Sequence, residues 1–208
     1  MTYSIIVLDK RRDLLGIGVV SGSISVGSRV PWGKYGVGGV TSQAYTNPGL
    51  GPIILDYMER GHSAEEAIKK ALNRDKQPSL RQVAAMDWDG NASYYNGKNI
   101  PIEYGGFVYK ECVAIANLVV SSEIPKILCR SYYENMDNDM GASIIHALMG
   151  AHNVGGDRRG DRSSALLIIG LTEFTPYYDR ILDLRIDYSK EPLKELERIY
   201  NIYRGLYP

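Results

Sequence analysis

The sequence predicts an α+β fold of antiparallel sheets sandwiched between helices, in a four-layer α-β-β-α arrangement. Three observations carry this. The elements run strands, helices, strands, a helical pair, strands, helix, which is not the strict alternation of a doubly wound sheet. The strand segments are apolar on both faces, as strands covered on both sides are. Yet successive strands are joined by short polar turns, the mark of hairpins. No repeat, low-complexity tract or linker interrupts the 208 residues, so a single domain, 1–208, is expected.

Residues 2–9 open the chain as a strand, with Ile5, Ile6, Val7 and Leu8 apolar in succession. The polar turn 9–13 leads to a second strand, 14–21. A small-residue loop, 22–28, follows, and a third strand spans 37–43. Pro48, Gly49, Gly51 and Pro52 are breakers before a helix over 53–60, stopped at Gly61. Ser63 and Glu66 form a capping box. The helix it starts carries Ala64, Ala67, Ile68, Ala71 and Leu72 on one stripe of period 3.6. Strands over 81–88 and 91–96 flank Asp89-Gly90, a strong hairpin pair. Residues 112–120 read as a further strand. Ser122 and Pro125 announce a helix that runs, with a break at 135–138, to Gly150. After the charged, glycine-rich loop 155–162 come strands over 164–170 and 181–186. A last helix is striped by Leu193, Leu196, Ile199, Tyr200 and Tyr203.

Composition excludes several functions. Lys plus Arg and Asp plus Glu are both 24, giving zero formal net charge, where a nucleic-acid binder shows a basic excess. A hydrophobic content of 44% excludes wholesale disorder. The first residues lack the basic and apolar regions of a signal peptide, and no apolar run reaches the length of a membrane span. A cytoplasmic protein with no membrane partner is expected. Cys112 and Cys129 sit in no metal-binding spacing and read as two buried thiols. One internal disulfide is the alternative, of the kind intracellular proteins of hyperthermophiles form. The 16 Tyr against 2 Phe and 2 Trp suggest buried hydroxyls with partners.

No standard motif accounts for an activity. Gly16-Ile17-Gly18 lacks the third glycine of a dinucleotide fingerprint, and 36–39 lacks the ending of a phosphate loop. These glycines are expected where backbones pack closely between sheets. His62, His146 and His152 are scattered, so neither a metal site nor a histidine-based triad is expected; His62, beside Gly61, reads as a surface cap. The loop from Asp157 to Arg162 reads first as an ion-pair network. Arg158, Arg159 or Arg162 could also bind a carboxylate or phosphate with its planar fork. The sharpest feature is Thr2, directly after Met1. Methionine removal before this small residue would leave a free α-amine, of pKa about 8, beside a hydroxyl: a nucleophile with its own base.

These segments together resemble the Ntn-hydrolase-like proteins catalogued as domain of unknown function 1028. The resemblance covers Thr2 to about Leu196. It rests on Met1-Thr2-Tyr3-Ser4-Ile5, Val19-Val20-Ser21, Val26-Gly27-Ser28-Arg29-Val30-Pro31-Trp32, Gly36 to Ala44, Asn47-Pro48-Gly49-Leu50-Gly51, Arg81-Gln82-Val83, Asn117-Leu118, Gly155 to Gly160 and Ser163-Ser164-Ala165-Leu166. It implies an αββα fold of the N-terminal nucleophile (Ntn) hydrolase superfamily, whose members cleave amide bonds with an N-terminal Thr, Ser or Cys. In proteasome-type relatives an acidic residue ends the second strand; Ser21 stands there in this chain. Their following basic residue corresponds to Arg29 or Lys34, and their D-x-x-S pair is similar to Asp161-Arg162-Ser163-Ser164.

The expectation is therefore an Ntn-type amidohydrolase that uses no cofactor and no metal, acting on a small amide or anionic substrate. Thr2 would be the nucleophile, with Ser21 and Ser164 orienting its amine. Asn117 and the backbone around Thr41 and Ser42 would polarise the carbonyl. Arg29, or an arginine of the loop holding Arg158 and Asp161, would bind a substrate carboxylate. The alternative is a non-catalytic protein of the same fold that binds a ligand or partner, and a third reading uses Asp161 or Arg29 directly. A homo-oligomer is weakly expected.

Overall fold

The computed structural model describes residues 2–101, 103–136 and 139–207. Met1 and residues 137 and 138, on which the expected methionine removal and part of the helix break fall, lie outside the described residues. Among the described residues, ten strands and five α-helices form a mixed α+β fold. The strands are β1 (Thr2–Asp9), β2 (Leu14–Ser21), β3 (Pro31–Lys34), β4 (Gly38–Ala44), β5 (Arg81–Asp87), β6 (Ala92–Asn96), β7 (Tyr104–Val108), β8 (Cys112–Asn117), β9 (Ser163–Ile169) and β10 (Arg180–Ile186). The helices are α1 (Leu50–Glu59), α2 (Ala64–Leu72), α3 (Ile124–Glu134), α4 (Met140–Asn153) and α5 (Pro192–Leu206).

Two antiparallel sheets result. One has the order β10-β9-β2-β1-β8-β7, the other β3-β4-β5-β6. The both-sides-apolar strand pattern has a direct structural counterpart. Along β1, Tyr3, Ile5 and Val7 enter a core shared with α3, α4 and α5. The alternate residues Ile6 and Leu8 enter a second core against Ala84 and Met86 of the other sheet. A third core joins Val40, Val83 and Ala85 to Leu50, Ile54 and Ile68 of α1 and α2. Period-two side-chain alternation feeds a different core from each face of one strand, and each Leu or Ile so buried contributes roughly 1.5–3 kcal/mol.

The capping box of α2 forms as read: Ser63 Oγ accepts from Glu66 N, and the Glu66 carboxylate accepts from Ser63 N. Helix α1 begins at Leu50, not at 53. Pro52 falls in the first turn, where its missing N–H costs nothing. Strands β3 and β7 were not expected from the sequence. Both are edge strands carrying Pro31 and Gly33, or Gly105 and Gly106, residues that sheet edges tolerate and short apolar runs conceal. The strand expected over 112–120 stops at Asn117, because Leu118 takes a left-handed φ of 53°. Two further expectations are corrected. Cys112 and Cys129 are not free thiols but a disulfide, closing a segment between β8 and α3 under a fully buried cover. Gly16 and Gly18 lie against α4 instead of between sheets: a Cβ on Gly18 would stand 2.5 Å from Ile144 Cγ2. No helix among the described residues is long and apolar enough to cross a membrane.

Candidate active site

Thr2 starts β1 at the end of the six-stranded sheet where β2 and β8 finish and β9 begins. The registers line up Ser163, Ser21, Thr2 and Asn117 across four adjacent strands. Directly paired residues point to one face, and here that face looks at the other sheet. Thr2 Oγ1 lies 3.1 Å from Ser21 Oγ, which also accepts a hydrogen bond from Ser23 N at 3.1 Å. Thr2 is nearly buried, at 6% exposure. It meets solvent through a cleft of about 350 Å³ that Ser23, Arg29, Ala44, Tyr45 and Thr46 also line. Arg29 is half-buried there, and its guanidinium donates to Ser25 O at 3.1 Å.

Beneath Thr2 runs a buried amide network. Gln43 Nε2 faces Thr2 O at 3.1 Å and Gln82 Oε1 at 2.7 Å. Ser4 Oγ donates to Gln43 Oε1 at 2.8 Å and stands 3.2 Å from Thr41 Oγ1. Asn117 Nδ2 donates to Gln82 Oε1 at 2.9 Å. All of these side chains are at least nine-tenths buried. A buried network of this kind holds its members in one arrangement, so the Thr2 carbonyl is fixed from the facing sheet. The signal was Gln43 and Gln82, each a long polar side chain inside a segment read as a strand. Backbone geometry adds to the rigidity. Ala44 at the cleft and Leu118 after Asn117 both hold left-handed φ values, 69° and 53°, which non-glycine residues adopt at a cost.

A family model matches residues 2–196: a family of unknown function, DUF1028. The chain belongs to the DUF1028 family. Its architecture is also similar to the crystal structure of a DUF1028 protein from Silicibacter pomeroyi. The two share 26% identity with a TM-score of 0.88, over 97% of this chain and 85% of that one. No curated protein matches.

In this DUF1028 chain the remaining predicted residues divide. Ser164 is not beside Thr2: it pairs with Val20, one position off the Thr2 row, and its Oγ donates to Pro192 O on the helix side. Its neighbour Ser163 holds the row position, donating to Ser23 O at 2.6 Å. One residue of register exchanges the faces of a sheet. Ser42 likewise turns from the site, its Oγ bonded to Asn47 O and its N–H to Val30 O, whereas Thr41 faces Ser4. Lys34 lies at the far end of β3, paired with Glu59.

The charged loop works as a strap. Asp157, its side chain fully buried, accepts from Gly22 N at 2.6 Å and from Arg159 N at 2.8 Å. A Cβ on Gly22 would stand 2.6 Å from that carboxylate, so only glycine lets it approach. Arg162 N donates to Ser21 O at 2.8 Å and Arg158 N to Leu118 O at 3.4 Å. The loop thus ties down the ends of β2 and β8, on either side of Thr2, mostly through its backbone. Arg158, Arg159 and Arg162 are exposed. Asp161 points toward the helices, where Tyr3 Oη donates to it at 2.7 Å and His152 Nδ1 lies 2.7 Å away. Burial pushes the Tyr3 phenol well above its ordinary pKa, and the Asp161 carboxylate pushes it the same way. Asp161 is therefore a support behind β1, not a group of the cleft. His62 sits 3.9 Å from Glu66 at the surface cap.

Proposed function

We propose that this chain is an Ntn-type amidohydrolase whose two sheets and flanking helices are the αββα Ntn arrangement, acting on a small amide with a carboxylate nearby. One observation carries the reading: Thr2 Oγ1 is held 3.1 Å from Ser21 Oγ at the floor of a cleft on whose wall Arg29 stands. Removal of Met1 leaves the Thr2 α-amine as base. Thr2 Oγ attacks the amide carbonyl carbon while its proton passes to that amine. The C–N bond then breaks, the leaving nitrogen takes the proton back, and an ester to Thr2 remains. Water, deprotonated by the same amine, cleaves the ester and releases a carboxylate. Ser21 orients Oγ1, Arg29 pairs with a substrate carboxylate, and the Gln43–Gln82 network keeps Thr2 from shifting.

Two measurements test this together: the N-terminal mass of protein from its native host, and an amide-substrate screen of wild type against Thr2→Ala. A chain starting at Thr2, with hydrolysis lost in Thr2→Ala, supports the reading. Retained Met1, or hydrolysis unchanged in Thr2→Ala, overturns it in favour of a non-catalytic binding protein or of chemistry at other residues.

A further inference from the structure

Asn117 is fully buried, yet its Oδ1 has no hydrogen-bond partner among the described residues. The network around it decides which end of each amide is which. Gln82 Nε2 lies within reach of three acceptors: Asn96 Oδ1 at 2.7 Å, Ala116 O at 2.8 Å and Gly105 O at 3.2 Å. Its other atom, Oε1, therefore faces Gln43 Nε2 and Asn117 Nδ2. Asn117 directs an N–H of Nδ2 at Gln82, so its other end, Oδ1, is an acceptor. A buried acceptor without a donor is costly and uncommon.

The ladder shows which backbone nitrogen faces Asn117. Leu8 N donates to Glu111 O at 3.0 Å. Alternate residues of a strand turn their N–H groups to the same side, and the β1–β8 register runs unbroken from Val7 back to Thr2 opposite Asn117. The Thr2 nitrogen therefore faces β8 at Asn117. Inside a longer chain that nitrogen carries one hydrogen, used in the ladder. As the first residue's amine it carries more, and needs a further acceptor on the face that holds Thr2 Oγ1. Asn117 Oδ1 is on that face.

We propose that Asn117 is a positioning residue: its Oδ1 accepts a hydrogen bond from the α-amino group of a chain that begins at Thr2, holding that group beside Thr2 Oγ1. This rests on the Ntn reading above. The test uses the full-length chain released from a cleavable N-terminal fusion so that Thr2 is first, and titrates the α-amine by NMR through the pH dependence of the Thr2 Cβ shift. An acceptor favours the protonated amine. Asn117→Leu therefore lowers the amine pKa by about one unit relative to wild type, and Asn117→Asp, of the same size, raises it. An amine pKa unchanged in Asn117→Leu overturns the proposal. Should that variant fail to fold, an unchanged value in Asn117→Asp overturns it equally. The titration needs no substrate, so the two readings fail separately. An unmoved amine beside Thr2-dependent hydrolysis removes the Asn117 contact alone, whereas hydrolysis surviving Thr2→Ala removes the Thr2 reading whatever the titration gives.

Discussion

Ser21 Oγ stands 3.1 Å from Thr2 Oγ1 across the β1–β2 ladder, while Ser164, the serine that the D-x-x-S likeness singles out, bonds Pro192 O on the opposite face. The two serines should separate experimentally. With a hydroxyl-directed electrophile of the β-lactone class, Ser21→Ala slows acylation of Thr2 by about tenfold or more, the scale at which misplacing a catalytic group is felt. Ser164→Ala leaves the rate within about twofold. Equal effects from both would contradict the placement.

Gln43 is the hub beneath Thr2. Gln43→Leu strips partners from Ser4 Oγ, Gln82 Oε1 and Thr2 O at once. Asn117 still reaches Gln82 Oε1 and Thr41 still reaches Ser4 Oγ, so the loss is that of three hydrogen bonds, each worth about 0.5–1.5 kcal/mol, and urea denaturation should show a loss of about 2 kcal/mol. A near-neutral result would mean that the network does not hold the site.

Tyr3 makes stability depend on alkaline pH. Its phenol is raised above the ordinary value by burial, and then by Asp161. A group whose folded pKa is raised contributes stability that is present below its unfolded pKa of about 10 and lost as pH rises through the folded value. Chemical denaturation should therefore show stability falling above about pH 10. In Tyr3→Phe that fall is shallower, although stability at pH 7 is lower by about 1–3 kcal/mol because Asp161 loses a donor. Parallel pH curves for the two proteins would refute this role.

The Cys112–Cys129 bond joins positions 17 apart in sequence. By chain-entropy reasoning, closure of a loop of that order is worth about 3 kcal/mol. Protein denatured without reductant should show no reactive thiol, and Cys112→Ala/Cys129→Ala should lose stability on that scale in urea denaturation. Two reactive thiols would contradict the bond.

Much of the fold was legible because it is written in local periodicity. The uninterrupted apolar run of β1 divides, residue by residue, between two cores, and the Ser63–Glu66 box states where α2 starts. The edge strands β3 and β7 were not legible, since proline and glycine suit a sheet edge and hide the pattern of a strand. Of the site, Thr2 could be read from its position and chemistry, and Ser21 and Asn117 from the family likeness. The faces of Ser42, Ser163 and Ser164 depend on a register that long-range pairing sets. The Gln43–Gln82 network depends on how the two sheets meet, which no local pattern specifies. The same holds for the cysteines: β8 and α3 must pack before their sulfurs face one another.

Everything in the proposed chemistry requires Thr2 to carry a free α-amine. The intact mass of the protein purified from its native host measures this without any knowledge of the substrate. The account predicts a chain that begins at Thr2, lighter than the encoded sequence by one methionine residue; a mass that retains Met1 would contradict it.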